Sequence, residues 1–572
     1  MLGVLRKLIY NLLFRNAKEA KMKNKLWIVV ILLSILYICS VKIIAEAQDD
    51  TSIEMPELVP LTEASENAKQ VYMQLMQAIY LTYNKDLGTA NKNLSKARHL
   101  YDKLVKQVPD SAFVWYKRGQ LRRQMQDING AEDDIRKALE LNPSHTPATW
   151  QLAEILKDRA SHSGGKYIRE LFTTLKKVIE LDPDHLNAHY RLADLAFGLD
   201  EYSTAEISYK ALTRILPFED HFHRRLGHIY YNMGRLQEAV DAYQRVVKIK
   251  SDDVEVLRIL GRLNLNLDQP QEAIDTYQRV VRIKPDDIEA LRALGHLYLT
   301  NDKFTDAQQS YQQLLGLVPN DIRGNLGLGL VYQELVQQAV RTENSTPSSE
   351  ADDLATFIQH AETYLERAIM LAKEVINKSE NVAQRTNYQK LVTDAQFALA
   401  NIYIIFEKLE KAKETFAKLL VDDPDHIDAM YGYASVYQTL GEFDQAEIYL
   451  QKTLRLRPTH VYALNALGYL YAEQGRHLDK AEELIKRALE QSPDNGAFLD
   501  SLGWVFFKQG RFAESVTTLE SANQHMPDNV EILMHLGDAY IKSGDPEKAR
   551  HVWEQAQTIA PDNQEILERL KQ

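Results

Sequence analysis

Residues 254–287, VEVLRILGRLNLNLDQPQEAIDTYQRVVRIKPDD, and residues 288–321, IEALRALGHLYLTNDKFTDAQQSYQQLLGLVPND, follow one another without a gap and carry one pattern. Each has a Leu-Gly pair, an Ala twelve residues past the Gly, a Tyr four later and a Pro eight after that. These are Leu260, Gly261, Ala273, Tyr277 and Pro285, then Leu294, Gly295, Ala307, Tyr311 and Pro319. A fixed period of this length is the signature of a repeat array, in which each unit is one supersecondary element that cannot bury its apolar face alone.

The same frame recurs along most of the chain. Gly119, Ala131, Ala138 and Pro143 mark an early unit, with Trp115 in its aromatic slot. Ala205 with Pro217 and Gly227 with Ala239 mark the next ones. Later come Ala412 with Pro424, Ala446 with Pro458, Gly468 with Ala481 and Pro493, Gly503 with Pro527, and Gly537 with Ala549 and Pro561. Small residues let the two helices of a unit approach closely, and Pro ends a helix or starts the next because it lacks the N–H a helix interior needs. The pattern resembles the tetratricopeptide repeat family, whose period it shares. That resemblance implies an all-α superhelical solenoid of about thirteen helix-turn-helix units between residues 66 and 563. Two places break the period. ASHSGGKYI (160–168) holds roughly six extra residues. RTENSTPSSEADD (341–353) lies in a stretch of about twenty extra residues between a helix near Gly329 and one near Ala361, as a loop or an extended helix end.

The family resemblance also assigns positions 2, 5, 9 and 12 of each unit to the inner groove. Position 5 is then Arg224, Arg258 and Arg292; position 9 is His228, Arg262 and His296; Arg323 follows at position 2 of the next unit. Such a row repels itself unless neighbouring carboxylates or a ligand balance it. Two readings follow: a groove for an acidic peptide segment, or internal pairing of Arg with carboxylates such as Glu255 and Glu289. In the C-terminal units Tyr431, Tyr462, Tyr469, Trp504 and Phe507 fill the equivalent slots, as partner-binding aromatic surface or as packing within a tightened superhelix. Residues 462–515, YALNALGYLYAEQGRHLDKAEELIKRALEQSPDNGAFLDSLGWVFFKQGRFAES, resemble bacterial envelope-associated tetratricopeptide repeat proteins with an LDSLGW motif, which implies a role in the Gram-negative envelope.

Composition bounds the rest. Hydrophobic residues at 45% and charged residues at 26% describe a folded chain. Residues 1–47 carry a balance of +6, so the formal −12 of the whole leaves a strongly acidic body and no nucleic-acid footprint. The single cysteine, Cys39, permits no intrachain disulfide. The histidines of HFHRRLGH (221–228) complete no metal-ligand spacing, and no nucleophile elbow, phosphate loop or dinucleotide fingerprint occurs. The expectation is a non-catalytic protein-binding scaffold with no cofactor and no metal.

An apolar run from Leu26 to Ile44, broken only by Lys42, spans about 28 Å as a helix, near the roughly 30 Å bilayer core. Seven basic residues precede it, so the positive-inside rule puts residues 45–572 outside the cytoplasm. The favoured reading is a single-pass anchor in a bacterial inner membrane with repeats facing the periplasm. Two others stay open: cleavage after the small-x-small pattern Ala45-Glu46-Ala47 to a soluble periplasmic protein, and a cytoplasm-facing tethered adaptor. The expected organisation is a basic segment (1–25), the membrane or signal helix (26–44), an acidic linker (45–65), an array (66–340), the insertion (341–353), a second array (354–563) and a short capping helix (564–572).

Overall fold

The computed structural model describes residues 66–83, 90–162, 165–342 and 351–571. Residues 26–44 and the pair Ala45 and Ala47 lie outside them. Among the described residues no helix is long and apolar enough to cross a membrane.

Every regular element described is a helix, and there are twenty-seven. The chain divides into two compact units, Met1–Ser251 and Asp252–Gln572. The first contains α1 Glu66–Tyr83, α2 Ala90–Gln107, α3 Ala112–Gln124, α4 Ile128–Leu141 and α5 Thr146–His162. It continues with α6 Ile168–Leu181, α7 Leu186–Gly198, α8 Tyr202–Ile215, α9 Asp220–Asn232 and α10 Leu236–Ile249. The second opens with α11 Val254–Asn266, α12 Pro270–Ile283, α13 Ile288–Thr300, α14 Phe304–Leu317, α15 Ile322–Thr342 and α16 Ala351–Lys378. Then come α17 Val382–Ile405, α18 Leu409–Asp422, α19 Ile427–Thr439, α20 Phe443–Leu456, α21 Val461–Glu473 and α22 Leu478–Gln491. It ends with α23 Gly496–Lys508, α24 Phe512–His525, α25 Val530–Ser543, α26 Pro546–Ile559 and α27 Gln564–Leu570. These are thirteen pairs and a short last helix whose Ile566 is fully buried against the final pair. Within each compact unit every helix packs on its successor.

The repeat frame has a direct geometric meaning. At six first-helix glycines a large side chain arrives from the second helix sixteen residues on. A Cβ at Gly261 would sit 2.6 Å from Tyr277 Cζ, one at Gly295 2.7 Å from Tyr311, one at Gly227 2.7 Å from Tyr243 and one at Gly119 2.8 Å from Ile135. Gly503 meets Leu519 and Gly537 meets Trp553 in the same way. The alanines of the frame (Ala131, Ala239, Ala273, Ala307 and Ala549) are fully buried on the second helices. Burial also pushes the Tyr277 hydroxyl up to about 12.

At two further glycines an insertion shifts the contact. Gly468 meets Ile485, seventeen on, because the turn between α21 and α22 has an extra residue and needs both Gly475 (φ 61°) and His477 (φ 53°) in the left-handed region. Gly329 meets Leu365, thirty-six on. The twenty additional residues lie between Gly329 and Leu365, and α15 and α16 both run past the usual length, to 21 and 28 residues. Residues 341–342 and 351–353 of the expected insertion are therefore helix, 343–350 lie outside the described residues, and α17 is also long, at 24 residues.

Because a Cβ at Gly295 must displace a buried ring, Gly295→Ala is expected to destabilise the chain by about 1–3 kcal/mol. Gly316→Ala, where nothing lies within 4 Å, is expected to be neutral or stabilising by up to about 1 kcal/mol. Thermal unfolding of the two variants beside the parent checks both.

Candidate functional site on the first helices

The candidate residues lie on the first helices of the pairs. Arg258 on α11 donates from Nε (3.0 Å) and Nη2 (2.7 Å) to Asp287 Oδ2, twenty-nine residues on. Asp287 is almost fully buried, and its other oxygen caps α13 by accepting from the Ala290 N–H at 3.1 Å. Arg292 on α13 makes the same contact with Asp321, which accepts from the Gly324 N–H (2.7 Å) at the start of α15. A buried carboxylate needs both a donor and a cation, and these arginines supply the second. In the other compact unit Arg224 on α9 lies 3.6 Å from the Asp220 carboxylate. For Arg258 and Arg292, internal pairing is therefore what holds, with cap aspartates as partners where the sequence pointed to glutamates. Arg262 is exposed and weakly paired, 3.7 Å from Glu289. His228, His296 and Arg323 are exposed as well.

The same slot takes a second chemistry. Tyr116 stacks on His145 (4.7 Å between ring centres), Phe397 on His426 (5.3 Å) and Tyr431 on His460 (5.1 Å), each twenty-nine residues apart. Trp150 stacks on His185 at 4.6 Å, thirty-five residues on, because the six extra residues at 160–168 intervene. Each histidine caps the helix after it: Nδ1 accepts from the N–H of Ala148, Ala188, Ala429 or Ala463 at 3.1–3.2 Å. Tyr431 is thus a half-buried contact between repeats, while Tyr462 stays exposed, 6.4 Å from the Tyr431 ring. None of these caps was assigned from the sequence. The available signal is a Pro two residues before each, as in Pro285-Asp286-Asp287 and Pro458-Thr459-His460.

Three consecutive first helices converge near the C-terminus. Tyr469 on α21 donates to Glu531 Oε1 on α25 at 2.8 Å, reaching past α23. Between them, Trp504 on α23 stacks on Phe507 (4.7 Å, 5° between planes) and on His535 of α25 (4.1 Å, 17°). The Trp504 indole N–H donates to Glu473. His535 Nδ1 lies 3.0 and 3.1 Å from the two oxygens of Asp500, and both residues are buried. Burial opposes a charge on His535, yet Asp500, Glu531 and Glu473 together hold its pKa above the ordinary value. Burial and then Glu531 raise Tyr469. The structure so gathers Tyr469, Trp504 and Phe507 and adds three residues not singled out as ligands: Asp500, Glu531 and His535.

Sequence profiles described as tetratricopeptide repeat match residues 265–327, 403–459 and 506–572, residues 224–288, 434–496 and 465–522, and residues 114–145. The chain belongs to the tetratricopeptide repeat family. No curated protein matches its sequence. Among solved structures it is similar to the Naa15/Naa10 complex bound to HypK-THB (12% identity, 88% of this chain and 95% of that one, TM-score 0.36). It is also similar to Cut9-Hcn1 of the APC/C (12%, 88% and 98%, TM-score 0.37) and to MamA from Desulfovibrio magneticus RS-1 (15%, 30% and 96%, TM-score 0.27).

The His460 cap is expected to make its repeat sensitive to acid. A cap must accept through an unprotonated Nδ1, and a cation at a helix N-terminus opposes the helix dipole. Burial and then Arg457 lower the His460 pKa, against Asp428 at 3.8 Å. A folded value below the unfolded one, about 6.5, means the contribution is complete above that pH and is lost as pH falls from there toward the folded value. His460→Asn keeps a cap acceptor without the titration. Its unfolding midpoint is expected to fall less than the parent's between about pH 7.5 and pH 5, as read by denaturant titration at both pH values.

Proposed function

We propose that this chain is a non-catalytic scaffold that binds protein or peptide partners along the first helices of its repeats. Residues 26–44 hold it in a bacterial inner membrane, with the repeats on the periplasmic side. Membership of the tetratricopeptide repeat family supports the binding role. The observation that carries it is the division of the inner-face cations. Arg258 and Arg292 are held by cap aspartates, whereas Arg262, His296 and Arg323 in the same compact unit face solvent. Exposed arginines with at most a loose contact, as between Arg262 and Glu289 at 3.7 Å, suit an acidic segment held by charge-assisted hydrogen bonds. The basic flank before residue 26 and the length of the apolar run support the membrane placement. A soluble form cleaved near Ala47 is the second reading, favoured by the small-x-small pattern at Ala45 and Ala47.

Reversing Arg262 and Arg323 together to Glu is expected to reduce recovery of crosslinked partners several-fold with the melting temperature unchanged. Arg258→Glu is expected to lower the melting temperature instead. Partner recovery unaffected by the Arg262/Arg323 reversal counts against the groove. For the anchor, fractionation and N-terminal sequencing decide: a soluble protein beginning near Gln48 replaces it with the cleaved form.

A further inference from the structure

We propose that Asp500, Glu531 and His535 form a binding site for a divalent transition-metal cation of the Zn²⁺ class. One oxygen from each carboxylate and one imidazole nitrogen lie within 4.8 Å of one another. Tetrahedral Zn²⁺ with ligands at about 2.0–2.2 Å needs its donor atoms about 3.3 Å apart. Asp500 and His535 already lie 3.0 Å apart, and Glu531 is exposed, so its side chain can swing the remaining distance. One imidazole and two carboxylates suit Zn²⁺ or its first-row neighbours better than Ca²⁺ or Mg²⁺, which take oxygen ligands alone.

Charge points the same way. Asp500, Glu531 and Glu473 converge here, and among the described residues none of them has a Lys or Arg partner. Glu531 and Glu473 are met only by neutral donors, the Tyr469 hydroxyl and the Trp504 indole N–H. Asp500, 5% exposed, has His535 as its one hydrogen-bond partner among the described residues. A proton on His535 balances one of the three negative charges, and a divalent cation balances more. Lys508 lies over the Trp504 ring, 4.7 Å from its centre.

The ligands are also held in place. Trp504 stacks on the His535 ring and Tyr469 holds Glu531, as the groups around a metal centre orient the residues that bind it. Asp500 and Trp504 are the Asp and Trp of the LDSLGW motif, so the motif supplies one ligand and the platform for another. His535 must be neutral to bind, so the proton and the metal compete and affinity falls as pH is lowered.

Calorimetric titration of the chelator-stripped full chain with ZnCl₂ near pH 7.5 tests the site, with Trp fluorescence as a second readout. The expected result is one equivalent of Zn²⁺ bound, with affinity reduced at least about tenfold in Asp500→Asn and in Glu531→Gln. Both substitutions keep an acceptor for the existing hydrogen bond, so the fold is preserved, and His551→Gln on α26 serves as an unaffected control. No stoichiometric uptake of Zn²⁺ overturns the proposal, and so does uptake equally tight in both variants, which places the ion elsewhere on the chain.

Discussion

The approach of two helices over a glycine is the contact on which the rest of this structure depends. With no Cβ at Gly261, Gly295 or Gly227, the ring from the second helix lies flat against the backbone of the first. That closeness brings the fully buried alanines into register and leaves a thin, rigid pair with apolar surface on both sides. Such a pair cannot bury both sides itself, so it must stack, and thirteen of them do within the two compact units. Tyr311 shows how one ring serves two pairs: a Cβ at Gly295 of its own pair or at Gly327 of the next would collide with it.

Stacking is reinforced by a second contact, between position 5 of one first helix and the cap of the next. Arg with Asp and an aromatic ring with His are two solutions to one problem, the orphan N–H groups at a helix start. Each fixes the angle between neighbours with a polar group that is itself shielded. The His460 cap responds to solution conditions: it is lost when the imidazole gains a proton. Inner-face residues held in this way are part of the scaffold. Arg262 and Arg323, by contrast, are exposed.

Much of the fold was legible in the sequence because small residues at a fixed interval can satisfy few geometries besides a close helix pair. The Gly and Ala frame predicted about thirteen pairs, and thirteen are present. The extra residue after Gly475 reappears as a one-residue shift in the partner of Gly468. The site was less legible. Arg258 and Arg292 sit in inner positions, but their partners Asp287 and Asp321 lie twenty-nine residues on, where helix curvature and stacking decide what meets. Pairing His535 with Asp500 requires three first helices to converge, and no local pattern announces that. The Ser- and Thr-rich composition of residues 341–353 left a loop and an extended helix end both open, and helix is what α15 and α16 bring to its two ends.

The claim that the position-5 arginines belong to the scaffold is open to one direct measurement: a double-mutant cycle on Arg258→Ala and Asp287→Asn, followed by equilibrium unfolding. A side chain about three-tenths exposed facing a nearly buried carboxylate should couple by about 1–3 kcal/mol. Coupling near zero, with each substitution acting independently, would contradict that claim and return Arg258 to the groove as a free cation.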